Sequence, residues 1–210
     1  MQLYAFPRSS AAFRVRIALN LKGLAFEETH VDLMRNAAPP EFLGVNPQGL
    51  VPVLVDGERT LAQSLAIIEY LEETYPSPAL LPGDLFERAR VRSVALLFAA
   101  DTHPLLTPRT MRYLRGRLGH DRNTTDTWSR HWTAEALTAV EKMLVPCGPT
   151  TPFTFGDTPG LADICLAAQM VIGEDLGMEF SAWPTLQRIF AACMAHDAFV
   201  RAHPKNRKPV

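Results

Sequence analysis

Two interruptions of regular structure within residues 75–83 divide this sequence into halves with different hydrophobic periods. The first is Tyr75-Pro76-Ser77-Pro78 and the second is Leu81-Pro82-Gly83, and both are rich in residues that end helices and strands. Short apolar segments alternate with helix-like stretches before this linker, whereas only helical periods follow it. We therefore predict an α/β domain over residues 1–79 and an all-helical domain over residues 85–210.

The first half has the predicted order strand, helix, strand, loop, strand, strand, helix. Asp56-Gly57 between two apolar runs is a strong signal for a tight turn, which predicts a hairpin of residues 51–55 and 59–61. The other elements predicted in this half are strands at Gln2–Ala5 and 26–31, helices at 12–22 and Ser64–Thr74, and a loop or irregular helix at 34–44. In the second half we predict helices at 86–102, 108–118, 127–144, 161–176 and 184–194, with connecting loops at 121–127 and 146–158.

Charge and cysteine content exclude several classes of protein. The 21 Lys and Arg residues nearly balance the 22 Asp and Glu residues, for a net charge of -1, so the chain lacks the basic footprint expected for nucleic-acid or acidic-membrane binding. Cys147, Cys165 and Cys193 are odd in number and form no CxxC pair, which favours a reducing compartment over a disulfide framework. The longest apolar run, 94–100, is too short to cross a bilayer. Because residues 1–10 also lack a secretory pattern, we expect a cytoplasmic protein.

Three features lie where a predicted strand meets a helix or a turn. Ser9 and Ser10 precede the first helix, where their hydroxyls either cap it or help its N-terminus hold an anion such as a thiolate. Pro52 at the start of a strand belongs at a sheet edge or a special turn, and the sequence does not assign its bond as cis or trans. Gln63 and Ser64 open a later helix, where Ser64 either caps it or helps bind a carboxylate. An α/β sheet places ligands on the side where all three features lie.

The sequence contains no dinucleotide-binding, phosphate-binding or zinc-protease motif. Its six histidines show no spacing typical of metal ligands. His131 and Glu135 are one helical turn apart, but a solvated helix face explains them better than half of a metal site. We therefore expect no metal cofactor.

Three segments carry a resemblance to a known family: SSAAFRVRIAL at 9–19, NPQGLVP at 46–52 and QSLAIIEYL at 63–71. These motifs resemble the zeta class of glutathione transferases, which includes the maleylacetoacetate and maleylpyruvate isomerases. The resemblance covers nearly the whole chain, because the linker, the helical half and residues 155–163 also fit. It implies a thioredoxin-like first domain that binds glutathione, an all-helical second domain that binds substrate, and a homodimer.

The resemblance also implies a role for each candidate residue that holds glutathione. Ser9 would donate a hydrogen bond to the glutathione sulfur and favour its thiolate, and Ser10 would support the same helix end. Val51, before a cis Pro52, would pair its backbone with the cysteinyl unit. The remaining candidates are Gln63 and Ser64, for the γ-glutamyl carboxylate, and His103, near glutathione at the mouth of the active site.

The implied reaction is the cis–trans isomerisation of a small anionic substrate, a maleyl-type diketo acid from the breakdown of aromatic compounds. The thiolate adds to a conjugated double bond, the resulting single bond rotates, and loss of the thiol gives the trans isomer. The enolate formed in between needs a positive partner. Arg8 and Arg109 are the candidates, whereas a solvated basic helix face is favoured for Arg112 and Arg115.

Three places depart from the family pattern. Ala11 replaces the usual cysteine, so reductive removal of halogen through a mixed disulfide should be poor, while isomerisation needs no such thiol. Glu174 and Asp175 stand where maleylpyruvate-type relatives carry arginines toward the substrate, which weakens that substrate assignment. Gly160 replaces the Ser or Thr of a capping box, so we expect only the hydrogen bond made by the Asp163 side chain to remain. We therefore expect a structural role for Asp163.

Two alternatives to the isomerase stay open at this point. A transferase that conjugates glutathione to small electrophiles or α-haloacids would share the thiolate but would need no enolate-binding arginine. A non-catalytic interaction module would need neither. We also expect a dimer interface at residues 69–75 and 86–101, and a mobile loop at 34–40 that closes over the ligand.

Overall fold

The structure is a computed structural model that describes residues 1–33, 38–144 and 151–206. The chain forms two compact units, one of Met1–Leu80 with Ala195–Val210 and one of Leu81–Met194. Residues 34–37 of the predicted mobile loop lie outside the described residues, as does Cys147.

A four-stranded mixed sheet in the order β2-β1-β3-β4 forms the centre of the first unit. The strands are β1 (Gln2–Ala5), β2 (Glu27–His30), β3 (Val53–Asp56) and β4 (Arg59–Ala62). β1 and β2 are parallel, while β3 is antiparallel to both β1 and β4. Gly57 has a φ of 60° in the turn between β3 and β4, a conformation that costs glycine little and closes the predicted hairpin.

The described residues contain ten α-helices. They are α1 (Ser10–Leu21), α2 (Pro40–Val45), α3 (Ser64–Thr74), α4 (Leu85–Leu96), α5 (His103–Leu106), α6 (Pro108–Gly116), α7 (Arg122–Leu144), α8 (Leu161–Asp175), α9 (Pro184–Ala195) and α10 (Asp197–Ala202). In the first unit α3 and α10 pack against α1, which is buried from Ala11 to Leu19. In the second unit α8 is buried on all sides from Leu161 to Val171, as its largely apolar sequence predicts. None of these helices has the length and hydropathy needed to span a bilayer.

α10 makes the boundary between the units differ from the predicted one. The sequence predicts no helix after 194 and assigns that segment to the helical domain. In the structure the Nδ2 of Asn20 donates to the carbonyl of Ala198 at 2.9 Å, and the ring of His203 meets the edge of Phe13 with centroids 5.6 Å apart. These contacts hold α10 against α1, so the chain returns to the first unit. A helix of six residues is too short for a helical period to be recognised in the sequence.

Two predicted features of the helical half are wrong in detail. The helix predicted at 86–102 ends as an α-helix at Leu96 and continues as a π-helical turn over Leu97–Thr102, in which the Thr102 hydroxyl donates to the carbonyl of Leu97 at 2.8 Å. The loop predicted at 121–127 is helical from Arg122 onward. Asp121 accepts the N–H of Thr124 at 2.7 Å, a bond that satisfies one of the first helical amides and lowers the pKa of the Asp121 carboxyl.

A buried ion pair fixes the segment that follows α3 in the first unit. Lys22 follows α1, and its Nζ donates to Glu72 at 2.8 Å and to the carbonyls of Tyr75 and Pro78 at 2.6 and 2.9 Å. Glu72 in turn accepts the N–H of Leu80 at 2.9 Å. The side chain of Lys22 is completely buried. The segment after α3 is therefore fixed to α1 through one ammonium group.

Candidate active site

Three strand ends meet at one edge of the sheet in the first unit. Tyr4 of β1 pairs with Val53 of β3, and Val53 pairs with Ala62 of β4. These three paired residues lie at the C-terminal end of β1, the N-terminal end of β3 and the C-terminal end of β4. The loop before α1, the Val51–Pro52 pair and Gln63 therefore emerge from the same edge.

Ser9 is the N-cap of α1 and has an extended backbone, with φ -73° and ψ 116°. Its Oγ accepts the N–H of Ala12 at 3.2 Å, and its own N–H donates to the carbonyl of Phe6 at 3.0 Å. Because the Oγ accepts from the helix, its proton can be donated to an anion beside the helix N-terminus. Ser10, the first residue of α1, is half-buried. The predicted capping role of Ser9 is confirmed, and it leaves the hydroxyl proton for a ligand.

The peptide bond between Val51 and Pro52 is cis, as the resemblance implies. Pro52 is buried and Val51 is half-buried, in a turn that begins at Asn46. Asn46 fixes this turn, because its Nδ2 donates to the carbonyl of Leu50 at 2.7 Å and its Oδ1 accepts the N–H of Gln48 at 3.1 Å. The backbone of Val51 thus lies just outside the β3 ladder, in a turn of defined geometry.

Gln63 has a strained backbone, with φ 72° and ψ 116°. It is the one non-glycine residue with positive φ in the described parts of the chain, and such a conformation costs about 1–3 kcal/mol. Its Nε2 donates to the Oε1 of Gln48 at 2.9 Å, which joins the turn before Val51 to the start of α3. Ser64 does not cap α3, because it is the first helical residue and is buried there. Gln48 is absent from the predicted site residues, although it lies within the 46–52 motif.

The other predicted site residues lie in a loop and in the second unit. Arg8 is exposed in the loop just before Ser9. His103 begins α5, and Arg109 is exposed as the second residue of α6. Their predicted parts in the site stay predictions. The first unit thus brings together a cap, a cis-proline turn and a helix start at one edge, namely Ser9, Ser10, Val51, Pro52, Gln63 and Ser64.

The two arginines predicted to lie on a solvated face differ. Arg112 is exposed. Arg115 binds the neighbouring helix, because its Nε donates to the Oγ1 of Thr125 at 2.7 Å and its Nη2 lies 3.5 Å from the Oδ1 of Asp126. Arg115 therefore links α6 to α7, a structural role that the sequence pattern did not indicate.

Asp163 has the structural role predicted for it. One carboxylate oxygen accepts the N–H of Gly160 at 2.9 Å, and the other accepts both the N–H, at 2.8 Å, and the hydroxyl of Thr154. Gly160 has no side chain to complete a capping box, so Asp163 supplies the surviving half. Burial raises the pKa of the Asp163 carboxyl, and the hydrogen bonds from Thr154 and Gly160 oppose that shift.

The protein's own thiols are poor nucleophiles in the described parts of the chain. Cys165 and Cys193 are both buried. Burial raises the pKa of the Cys193 thiol, and the charge of Asp163 adds to the effect, so this sulfur stays protonated and unreactive. Among the described residues no cluster of three or more His, Cys, Asp or Glu side chains could hold a metal ion.

Comparison with known proteins gives the class of the fold. The family model of the glutathione S-transferase N-terminal domain matches residues 3–79. The whole chain is similar to the maleylacetoacetate isomerase of Pseudomonas aeruginosa, with 45% identity over 211 residues that cover 99% of this chain and 97% of that protein. The mixed sheet and its helices thus form the N-terminal domain of a glutathione S-transferase.

Two solved structures define the class more closely. A maleylpyruvate isomerase, a bacterial glutathione S-transferase of the zeta class, is 40% identical with a TM-score of 0.93, over 99% of this chain and 98% of that one. The maleylacetoacetate isomerase of Methylobacterium extorquens AM1, solved with bound malonate and GSH, is 42% identical with a TM-score of 0.95 over 100% of both chains. The chain belongs to the zeta class of glutathione S-transferases, the family of the maleylacetoacetate isomerases. The predicted family, fold class and enzyme class are confirmed.

Proposed function

We propose that this protein is a glutathione-dependent cis–trans isomerase of a maleyl-type diketo acid, maleylacetoacetate or maleylpyruvate, in the breakdown of aromatic compounds. The observation that carries the proposal is the edge of the first unit, where a serine-capped helix, a cis Val51–Pro52 turn and Gln63 converge. Similarity over the full chain to proteins named as isomerases favours this function over conjugation of electrophiles.

Glutathione would bind along this edge with its sulfur at the start of α1. The Ser9 hydroxyl donates to the sulfur, and the helix N-terminus adds positive potential that lowers the thiol pKa below its usual value of about 8.5. The backbone of Val51 pairs with the cysteinyl unit. The γ-glutamyl carboxylate accepts hydrogen bonds at the start of α3, from Gln63 and from Ser64.

Isomerisation then needs no net change in glutathione. The thiolate forms a bond to one carbon of the conjugated double bond, and the electron pair moves to the carbonyl oxygen as an enolate. The former double bond rotates, the enolate pair returns, and the carbon–sulfur bond breaks to release the thiolate. Arg8, in the same loop as Ser9, and Arg109 stabilise the enolate and the carboxylates, and His103 lies near glutathione.

The arginines separate isomerisation from simple conjugation. We expect Arg8→Ala and Arg109→Ala each to lower kcat/KM for isomerisation by about 100-fold, because each removes a charge that is matched to the enolate or a carboxylate. Conjugation of glutathione to a neutral aryl halide, measured on the same preparations, should be largely spared. Arg112→Ala, on the same helix as Arg109, is the control and should retain isomerase activity. An Arg8→Ala/Arg109→Ala double variant with full isomerase activity would contradict the proposal.

Gln63 offers a second test through the binding of glutathione. Gln63→Ala keeps the positive φ but removes the amide, so we expect KM for glutathione to rise about tenfold with a smaller change in kcat, as for one lost hydrogen bond. Gln63→Gly should show the same rise in KM. The free energy of unfolding of Gln63→Gly should be about 1 kcal/mol higher than that of Gln63→Ala, because glycine adopts positive φ without strain. An unchanged KM in both variants would remove Gln63 from the site.

We also propose that the protein is a homodimer that uses the exposed side of α4. Leu85 and Phe86 at its start are 87% and 72% exposed within the single chain, and Leu96 at its end is 48% exposed. Large apolar side chains at these positions fit an interface with a second copy. Light scattering should give a dimer mass for the unmodified protein and a smaller mass for Phe86→Asp. A monomer mass for the unmodified protein would contradict this proposal.

A further inference from the structure

Arg16 is completely buried in the first unit, although it carries a full charge. Its Nε and Nη2 donate to the two carboxylate oxygens of Glu28 on β2, each at 2.8 Å. This is the two-pronged geometry that a planar guanidinium forms with a carboxylate. Desolvation offsets much of the attraction in a buried ion pair, so its replacement by two well-packed apolar side chains is often close to neutral for stability. The other contacts of Arg16 therefore bear on what the pair does.

The remaining contacts of Arg16 lie in the loop that precedes Ser9. Its Nη2 donates to the carbonyl of Phe6 at 3.1 Å, and its Nη1 donates to the carbonyl of Pro7 at 3.3 Å. The carbonyl of Phe6 also accepts the N–H of Ser9 at 3.0 Å. One carbonyl oxygen thus bonds both the buried guanidinium and the residue at the helix cap.

We propose that Arg16, fixed by Glu28, is a positioning residue that holds the loop before α1 so that the Ser9 hydroxyl faces the glutathione sulfur. This inference rests on the proposed function. The guanidinium binds two successive carbonyls and a carboxylate at once, so the loop cannot move without breaking several charge-assisted bonds. The other titratable groups around the loop are the exposed Arg8 and His30 on β2, whose ring lies 5.7 Å from that of Phe6.

The first unit supplies a matched control in the ion pair of Lys22 and Glu72. Its cation is as completely buried as Arg16, although Glu72 is more buried than Glu28. Its ammonium also binds two backbone carbonyls, but these belong to the segment after α3. Arg16→Met/Glu28→Met and Lys22→Met/Glu72→Met each replace a buried ion pair with two apolar side chains. Only the first of these double variants releases the loop before Ser9.

The readout is the pKa of the thiol of bound glutathione, from the ultraviolet absorbance of its thiolate as pH is raised. We expect Arg16→Met/Glu28→Met to raise this pKa by about one unit, a tenfold loss of thiolate at a pH below it. kcat should fall about tenfold while KM for glutathione changes little. Lys22→Met/Glu72→Met should leave the thiol pKa unchanged. Arg16→Lys keeps the positive charge but loses the planar guanidinium with its several donors, so it should also raise the thiol pKa. This variant serves as the test if the double variant does not fold.

An unchanged thiol pKa in folded Arg16→Met/Glu28→Met or Arg16→Lys would overturn the inference, and so would an equal rise in the control pair. Ser9→Ala separates this failure from failure of the proposed function. If Ser9→Ala raises the thiol pKa while the Arg16 variants do not, the proposed function stands without the role of Arg16. If the unmodified protein gives no thiolate absorbance with glutathione, both the proposed function and this inference are contradicted.

Discussion

Replacing Ser9 with alanine is expected to lower kcat/KM for glutathione-dependent isomerisation by about 100-fold. The hydroxyl oxygen accepts the N–H of Ala12, so its own proton can be donated to a thiolate. A lost donor to a developing or full negative charge in such a site typically costs two to three orders of magnitude. Initial rates with saturating glutathione, followed by the absorbance of the maleyl substrate, give the result directly.

Loss of the helix cap must be separated from loss of the chemistry. Ser9→Ala also removes an N-cap, which should lower the free energy of unfolding by about 1 kcal/mol. Ser9→Thr keeps both the hydroxyl and the cap, so it should retain most of the stability and a large part of the activity. A Ser9→Ala variant that turns over substrate at the unmodified rate would show that another group stabilises the sulfur.

Among the substitutions proposed here, replacing Lys22 with methionine is expected to lower the free energy of unfolding most, by about 3–5 kcal/mol. The substitution leaves the Glu72 carboxylate buried without its cation, and it removes hydrogen bonds to the carbonyls of Tyr75 and Pro78. An uncompensated buried charge has a cost of this size. Urea denaturation monitored by circular dichroism gives the difference.

The double variant Lys22→Met/Glu72→Met tests the cause of that loss. Removing both charges should recover part of the lost stability, because two apolar side chains need no compensation in the interior. The carbonyls of Tyr75 and Pro78 and the N–H of Leu80 still lose partners, so a deficit of about 1–3 kcal/mol should remain. If the double variant is less stable than Lys22→Met alone, the charge of Glu72 is not the source of the cost.

Local signals in the sequence were sufficient for much of the first unit. The strand Gln2–Ala5, the helix Ser64–Thr74 and the turn at Gly57 follow from hydrophobic period and turn chemistry, and the structure contains all three. The first helix is predicted at 12–22 but begins at Ser10, because the cap at Ser9 sets its start. The short helices α2 and α10 give no clear period, and packing against the rest of the unit determines them.

The positions of the candidate residues along the chain were predictable, but the geometry that relates them was not. The motifs place Ser9, Val51, Pro52 and Gln63 at strand and helix ends, yet only the register of β1, β3 and β4 puts those ends at one edge. The positive φ of Gln63 and its bond to Gln48 depend on contacts between distant segments. Pairings across long stretches of chain, such as Arg16 with Glu28, leave no local signal for the same reason.

A crystal structure of the protein with glutathione tests the central claim most directly. We predict that the tripeptide lies along the edge of the first unit, with its sulfur about 3–3.5 Å from the Oγ of Ser9, close enough for a hydrogen bond to sulfur. Its γ-glutamyl carboxylate should lie at Gln63 and Ser64. A complex in which the sulfur lies away from Ser9, or in which glutathione binds elsewhere on the chain, would contradict the account.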